Sequence, residues 1–297
     1  MIAGASSRRA AVFFVAPALF GLALFVMLPF LLAVVLGFTN LRLGSPLPLE
    51  FTGLEQYRRI FADPAFLYAL RNNGIFAIVV VPVQTGLALV LALLLNQRLS
   101  GLVVFRTLFF MPVVFPLSLV AVVWILIYAP GPDGTMNAML EVASFGVWQP
   151  RDFLHDPLLA LPAIMVTSIW QGTGFQMVIL LAALQSVPRE LYEAARIDGA
   201  GAVPQFLHVT LPQLRNALVF VMVITTILAF RLFDQVQIMT QGGPRNASTT
   251  MMFEAVQAAF GRQQVAKGAA MTVVLFLLVL SVTLLQRFLA RHHRVIE

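Results

Sequence analysis

Apolar residues are arranged in long uncharged runs, and short polar stretches separate these runs. Each run is about as long as the 20 or so residues with which a helix crosses roughly 30 Å of hydrocarbon. The pattern predicts six membrane-spanning helices, with both ends of the chain on one side. The expected spans are 11–38, 72–96, 106–129, 158–184, 216–238 and 268–288, and residues 188–212 connect the fourth span to the fifth. We therefore expect an all-α integral membrane protein with a single transmembrane domain over residues 1–297.

The orientation follows from the basic residues, which favour the cytoplasmic side of a membrane. With the N-terminus inside, ten arginines lie in inner segments, and eight basic residues lie in outer loops that are longer. The inner set is Arg8, Arg9, Arg98, Arg106, Arg189, Arg196, Arg215, Arg287, Arg291 and Arg294. The outer set is Arg42, Arg58, Arg59, Arg71, Arg151, Arg245, Arg262 and Lys267. The prediction is that both termini and the 188–212 connection are cytoplasmic.

The composition agrees with a bilayer environment and excludes several other classes of protein. Hydrophobic residues make up 60% of the chain and charged residues only 11%, whereas a soluble domain has about a quarter charged residues. The net charge of +6 comes mainly from arginines in loops and tails, so nucleic-acid binding is not expected. Because the chain has no cysteine, it has no disulfide, no thiolate nucleophile and no Cys-ligated metal. Prolines at positions 82, 112, 116 and 162 predict kinks within the spans.

The 188–212 connection has the features of a surface helix that a soluble partner could bind. Pro188 and Glu190 favour a helix start, and good helix formers follow as far as Ile197. Asp198-Gly199 predicts the end of this helix, since glycine suits the left-handed residue that closes one. A second short helix is expected near residues 203–209. The alternative is an amphipathic linker that only joins two spans.

The same connection carries a spaced motif from Glu193 to Pro212. It reads Glu-Ala-Ala, three residues, Gly, nine residues, an aliphatic residue, one residue and Leu-Pro. This motif resembles the cytoplasmic loop of ABC-importer permeases of the carbohydrate-uptake class, the binding-protein-dependent sugar and glycerol-phosphate type. Other stretches are similar to the same class, namely 170–175 with 184–188, 233–234 with 240–244, and 268–270. The resemblance extends over most of residues 50–290.

The resemblance implies a type I importer fold and half of a translocation path in the plasma (inner) membrane of a prokaryote. The implied partners are a second homologous permease subunit, two cytoplasmic ATPase subunits, an extracytoplasmic solute-binding protein and membrane lipid. The coupling residues that it implies are Glu193, Ala194, Ala195, Asp198, Gly199, Leu211 and Pro212. ATP and Mg²⁺ would bind the partner ATPase and no cofactor would bind this chain. Its only lysine, Lys267, lies outside any phosphate-binding loop motif.

Polar side chains within the spans are candidates for the solute path, because a polar group at membrane depth is costly unless it faces a cavity or another helix. The candidates are Gln84, Trp170, Gln171, Thr173, Gln176, Arg231 and Asp234, with Phe175 and Gln237 beside them. Hydrogen-bonding groups next to flat rings suit a sugar. For each glutamine or threonine the alternative is a hydrogen bond between two helices. No catalytic residue and no metal ligand is expected.

Arg231 and Asp234 are charged residues within the fifth predicted span. On a continuous helix, residues three apart share a face, so the spacing predicts an ion pair. The pair would either fix the outer end of the fifth span or let Arg231 donate to solute hydroxyls or a phosphate.

The leading interpretation is thus a permease subunit of an ATP-driven importer for a sugar, polyol or glycerol phosphate. One alternative is a permease of the same superfamily for another solute, such as an oxyanion or a polyamine. A membrane-embedded enzyme and a scaffold without a transport role are less favoured. The chain has no Gly-x-Ser-x-Gly and no His-Glu-x-x-His, and its four histidines, His155, His208, His292 and His293, are scattered.

Overall fold

In a computed structural model of the protein, residues 3–97 and 101–291 are described, and the regular structure within them is helical. The helices are α1 (Ala3–Leu22), α2 (Leu28–Leu36), α3 (Glu55–Phe61), α4 (Pro64–Leu95), α5 (Leu102–Val114), α6 (Leu117–Ile127), α7 (Thr135–Ala143), α8 (Ala160–Gln185), α9 (Arg189–Ile197), α10 (Ala202–Gln205), α11 (Leu211–Phe230), α12 (Asp234–Met239), α13 (Met251–Val256) and α14 (Val265–Arg291). Short π-helical turns span Ala23–Met27, Phe206–Thr210 and Gln257–Gly261. Within the described ranges, one isolated antiparallel bridge joins Thr39 to Phe51.

Several basic residues that set the predicted orientation lie outside the described part of the chain. They are Arg98 and Arg294, together with the side chains of Arg8, Arg9 and Arg291. The histidines His292 and His293 also lie outside the described part. The cytoplasmic placement of the two termini therefore stays a prediction.

Five stretches of the described chain are long and apolar enough to cross a membrane. They are Val12–Leu36, Pro64–Leu95, Ala160–Gln185, Ala202–Met239 and Val265–Ala290. Helices α5 and α6 pass the same test together, but the chain bends by 101° between them. Counting this bent pair as one span gives six.

The bend between α5 and α6 has a local cause at Phe115-Pro116. Proline has no N–H to donate, and it disfavours helical backbone at the residue before it, so Phe115 is extended with ψ 140°. The expected span 106–129 is therefore not one straight helix. Pro82 and Pro112 do not interrupt their helices, and Pro162 lies in the first turn of α8, where the missing N–H costs little.

Two further boundaries differ from the expectation. The second span starts at Pro64, where proline occupies the first position of α4, rather than at 72. In the fifth span the helix ends at Phe230 and resumes at Asp234, so 216–238 is not one continuous helix.

The chain divides into two compact units. The first unit comprises Met1–Pro64 with Glu254–Phe276, and the second comprises Ala65–Phe253 with Leu277–Glu297. In the first unit, Lys267 Nζ donates to Asp63 Oδ2 at 2.6 Å, and both side chains are mostly buried. Arg262 pairs with the buried carboxylate of Glu254, also at 2.6 Å.

The second unit contains two buried apolar clusters. One gathers residues of α4, α6, α8 and α12, including Phe76, Trp124 and Ile164. The other joins α4, α8 and α11 through residues such as Ala92, Leu180 and Leu214. These clusters pack the middle of α8 against the neighbouring helices. Polar side chains lie on the same part of α8.

Candidate functional site

The central helix α8 carries a polar stripe on one face. Ser168, Gln171, Gly172 and Phe175 are spaced by three or four residues, which places them on the same side of a helix. Gly172 has a specific reason to be glycine. A Cβ atom there would collide with the amide of Gln84 on α4, so the missing side chain lets this glutamine approach. Gly174 similarly lies against the backbone of Phe109 on α5.

A cavity of about 250 Å³ opens beside this stripe. Its lining combines apolar side chains with a group of polar and charged ones. The polar members are Gln84, Ser168, Gln171, Thr225, Arg231, Asp234 and Gln235. Four of the seven solute-path candidates, Gln84, Gln171, Arg231 and Asp234, therefore meet at one cavity.

A second cavity of about 240 Å³ adjoins the first. Gln84, Gln171, Gly172 and Thr225 line both cavities, and Phe175 and Gln176 line only the second. Here a ring lies beside amide groups, as the sequence predicted for Phe175.

The amides at the first cavity are linked in a chain of hydrogen bonds. Ser168 Oγ donates to Gln235 Oε1, and Gln235 Nε2 donates to Gln171 Oε1 at 3.4 Å. Gln171 Nε2 in turn donates to the Phe115 carbonyl at 3.5 Å. That carbonyl has no helical partner because the chain bends there. The bonds made by Gln171 are long, and long hydrogen bonds are easily exchanged for others.

Arg231 and Asp234 do not pair as the sequence predicted. The helix stops between them, so they do not share a helical face: Arg231 caps the C-terminus of α11, and Asp234 begins α12. Among the described residues neither forms an ion pair within 4.0 Å. Both side chains are exposed, and both line the first cavity. The structure thus has a cation and an anion at the cavity wall, each free to interact with a solute.

The remaining candidates make contacts within the protein. Gln176 Nε2 donates to Thr225 Oγ1 on α11 at 2.5 Å, which is the helix-to-helix hydrogen bond of the alternative interpretation. Thr173 Oγ1 donates to the Ile169 carbonyl within α8. Trp170 packs edge-on against Trp124, with 5.6 Å between ring centroids. Trp170 and Thr173 line neither of the two cavities.

Helix α9 begins and ends as the sequence predicted. Gly199 has a φ of 78°, the Gly199 N–H donates to the Arg196 carbonyl, and the Ala200 N–H donates to the Ala195 carbonyl. This pair of bonds is the Schellman motif that closes a helix. Tyr192 Oη lies 3.0 Å from Thr210 Oγ1, which ties α9 to the π-helical turn.

The segment after Gly201 differs from the expected separate helix. Helix α10, the π-helical turn and α11 follow one another without a break, so Leu211 and Pro212 lie inside a continuous helix. Pro212 cannot donate a backbone hydrogen bond, and the preceding turn has the wider π pattern, in which the Leu211 N–H donates to the Phe206 carbonyl. The second half of the connection is thus an extension of the fifth span.

Helix α9 has two different faces. Arg189, Tyr192, Glu193 and Arg196 line a groove of about 820 Å³, together with residues at the ends of α4, α5 and α8. Ala194 and Asp198 are exposed, Ala195 is half-buried, and the side chain of Ile197 is 87% exposed. Ile197 is thus an exposed apolar residue on a helix that lies outside the apolar spans.

Comparison with known proteins assigns the family. Residues 84–295, well over half of the chain, match the family of binding-protein-dependent transport system inner membrane components. The chain belongs to this family. Both cavities and the α9 groove lie almost wholly within the matched residues.

Individual members of this permease family are similar along nearly the whole chain. A lactose transport system permease protein of Rhizobium radiobacter is 34% identical over 95% of this chain and 94% of its own length. A sulfoquinovosyl glycerol transport system permease protein of Agrobacterium fabrum is 35% identical over 93% of this chain and 88% of its own. A bacterial alginate ABC transporter solved with an alginate-bound periplasmic protein has the same fold. Its matching chain has a TM-score of 0.81 at 18% identity, with 97% of this chain and 96% of that chain covered.

This permease is a multi-pass membrane protein of a family of transporters rather than of enzymes. Sequence reasoning missed three polar residues of its cavity, Ser168, Thr225 and Gln235. Ser168 could have been found, because it precedes Gln171 by three residues on the same face of α8. Gln235 could not, since its approach to α8 depends on the break between α11 and α12.

Proposed function

We propose that this chain is the permease subunit of an ATP-driven importer and forms half of the translocation path for a sugar, polyol or glycerol phosphate. A binding protein outside the membrane delivers the solute. The observation that carries the proposal is the cavity where Gln84, Gln171, Arg231 and Asp234 meet. Carbohydrate transport by similar family members supports the choice of solute.

The chemistry of the cavity suits a polyhydroxylated solute. Amides both donate and accept hydrogen bonds, and Arg231 adds a fixed fork of donors. The long bonds of Gln171 can be exchanged for bonds to a solute hydroxyl, which keeps binding weak enough for release. Phe175, at the adjoining cavity, offers an apolar surface to a sugar ring.

The energy source and the other subunits belong to the same proposal. Two ATPase subunits in the cytoplasm bind ATP and Mg²⁺ and dock on α9, where Glu193, Ala194 and Ile197 are exposed. A second homologous permease subunit completes the pathway. The assembly lies in the inner membrane of a prokaryote, and this chain holds no cofactor. Closure of the ATPases moves α9, and the continuous helix from Ala202 to Phe230 relays that motion to the cavity.

Transport of a carbohydrate is tested by reconstitution. The complex recovered on a tagged copy of this chain is placed in vesicles with its binding protein, and ATP-dependent uptake of labelled sugars, polyols, glycerol phosphate, oxyanions and polyamines is measured. We expect uptake of a member of the first three classes. Uptake restricted to an oxyanion or a polyamine would support the alternative solute class. Recovery of the chain alone, with no ATPase, would contradict the importer itself.

The substitution Glu193→Lys tests whether α9 couples this chain to the ATPase. Glu193 lies on α9, outside the apolar spans, so the variant should insert normally and lose ATP-driven uptake. The loss of one charge-assisted contact costs about 1.5–3 kcal/mol, and reversal costs more. Glu141→Lys, the same change on the exposed surface of α7, is the matched control and should transport normally. Normal ATPase recovery and solute-stimulated hydrolysis in Glu193→Lys would contradict a docking role.

A further inference from the structure

The inner face of α9 encloses a groove that lies outside the solute path and, apart from Glu193, contains none of the proposed coupling residues. Its polar lining residues are Asn96, Gln97, Arg106, Gln185, Arg189, Tyr192, Glu193 and Arg196, and Leu184 and Val187 complete the wall. Three arginines and one glutamate give this described lining a formal charge of +2. None of the four charged side chains forms an ion pair within 4.0 Å among the described residues.

The arginines are arranged to hold an anion. Arg189 and Arg196 are seven residues apart on one face of α9, and Arg106 approaches from α5. Arg106 Nη2 is fixed by the Leu95 carbonyl at 2.8 Å, and its Nε is buried without a hydrogen-bond partner among the described residues. An arginine in the first turn of a helix is opposed by the helix dipole, so Arg189 gains from a nearby anion. Forked guanidinium groups match the oxygen atoms of a phosphate.

The position of the groove indicates where this anion comes from. The walls are built from residues where the long apolar helices α4 and α8 end, namely Asn96-Gln97 directly after α4 and Leu184-Gln185 at the end of α8. Apolar side chains give way to polar ones at the depth of the lipid headgroups, and a tyrosine such as Tyr192 is typical of that depth. The first residues of α5 extend the surface with exposed apolar side chains, and Val103 is 72% exposed.

We propose that this groove binds the phosphate of an anionic phospholipid, whose acyl chains lie along the apolar surface of α5. Basic pockets between membrane helices bind lipid headgroups in this way. The lipid phosphate fills the space between α9 and the spans and supports the helix from behind, while Ala194 and Ile197 stay exposed on the opposite side. The composition of the membrane thereby sets how firmly α9 is held.

Native mass spectrometry of the purified complex with phosphatidylglycerol or phosphatidylcholine tests the proposal. The variant is Arg189→Gln with Arg196→Gln, two exposed residues whose replacement is compatible with folding. Arg245→Gln with Arg287→Gln is the matched control, since it removes the same charge from exposed positions outside the groove. We expect the groove variant to lose phosphatidylglycerol affinity by about fivefold or more and the control by less than about twofold. Phosphatidylcholine binding should not change in either.

Three outcomes would overturn the proposal. An equal loss in both double variants would mean general attraction to the surface charge. Displacement of phosphatidylglycerol by inorganic phosphate at a similar concentration would assign the groove to a free anion. Unchanged lipid binding with loss of a co-purifying soluble subunit would make the groove a protein interface. Thermal melting in phosphatidylcholine should be the same for both double variants, so that a folding defect is recognised.

Discussion

The second unit contains two sets of buried amide side chains that differ in their partners. Asn72 and Asn73 bond only to backbone: Asn72 Nδ2 donates to the Asn246 and Thr249 carbonyls at 2.9 and 3.0 Å. Asn73 donates to the Ala229 carbonyl at 3.1 Å and accepts from the Met251 N–H at 2.7 Å. Gln171 and Gln235, at the cavity, instead share one long bond of 3.4 Å. A buried amide whose hydrogen bonds are long is therefore a better candidate for the solute path than one held firmly by backbone groups.

Asn73→Leu should produce the largest effect on stability. It leaves the Ala229 carbonyl and the Met251 N–H buried without partners, and each such group costs about 1–3 kcal/mol. We expect a lower melting temperature in detergent and a lower yield in the membrane. Gln171→Leu, the matched change at the cavity, should cost less, because the two bonds that it removes, to the Phe115 carbonyl and from Gln235 Nε2, are long at 3.5 and 3.4 Å. Equal destabilisation by the two variants would remove the distinction between the sets.

Arg231→Gln should affect transport more than stability. Arg231 is exposed and unpaired, so the melting temperature should stay near that of the parent protein. Loss of a charged donor to the solute costs about 1.5–3 kcal/mol, which raises the half-saturating solute concentration about tenfold or more. Arg245→Gln, on an exposed loop outside the cavity, is the control. An unchanged concentration dependence of uptake would place the solute site elsewhere.

Asp234→Asn should have a small effect on stability. Asp234 lies in the first turn of α12, where a negative charge interacts favourably with the helix dipole by about 0.3–1 kcal/mol. We expect a small loss of assembly that is the same for any solute, measured as complex yield and melting temperature. A change in solute selectivity with normal yield would instead make Asp234 a solute ligand.

Asp152 differs from both sets of amides because its carboxylate is partly exposed, so water competes with its hydrogen-bond partners. Its Oδ1 accepts the backbone N–H groups of Leu154 and His155, and the His155 ring is 3.0 Å away. Partial burial raises the pKa of the Asp152 carboxyl, but its hydrogen bonds and the charge interaction with His155 outweigh this and lower the pKa. The carboxylate therefore stabilises the fold above the ordinary pKa of aspartate, and this is lost as the pH falls through the lowered value. Melting curves against pH should show a small acid-side decline that Asp152→Asn reduces.

The sequence predicted those parts of the structure that depend on local properties. The apolar runs identified the spans, and Gly199 identified the end of α9, because burial and turn conformation are determined by a few neighbouring residues. The break after Phe230 was not predicted, since no proline or glycine marks it. The predicted ion pair between Arg231 and Asp234 was wrong for the same reason, because it assumed a continuous helix. The partners of Asn72 and Asn73 lie more than 150 residues away along the chain, so no local pattern could reveal them.

The continuous helix from Ala202 to Phe230 has a mechanical consequence. At 1.5 Å per residue its 29 positions form a rod of about 43 Å, with α9 joined to one end and the cavity wall at the other. A tilt of about five degrees at the α9 end would swing Thr225, Leu228 and Arg231 by roughly 3–4 Å, about the diameter of a hydroxyl group. A flexible loop in the same place would absorb that angle. The absence of a joint at Pro212 therefore makes this helix a lever arm, and its length sets how far the cavity wall moves for a given tilt at the α9 end.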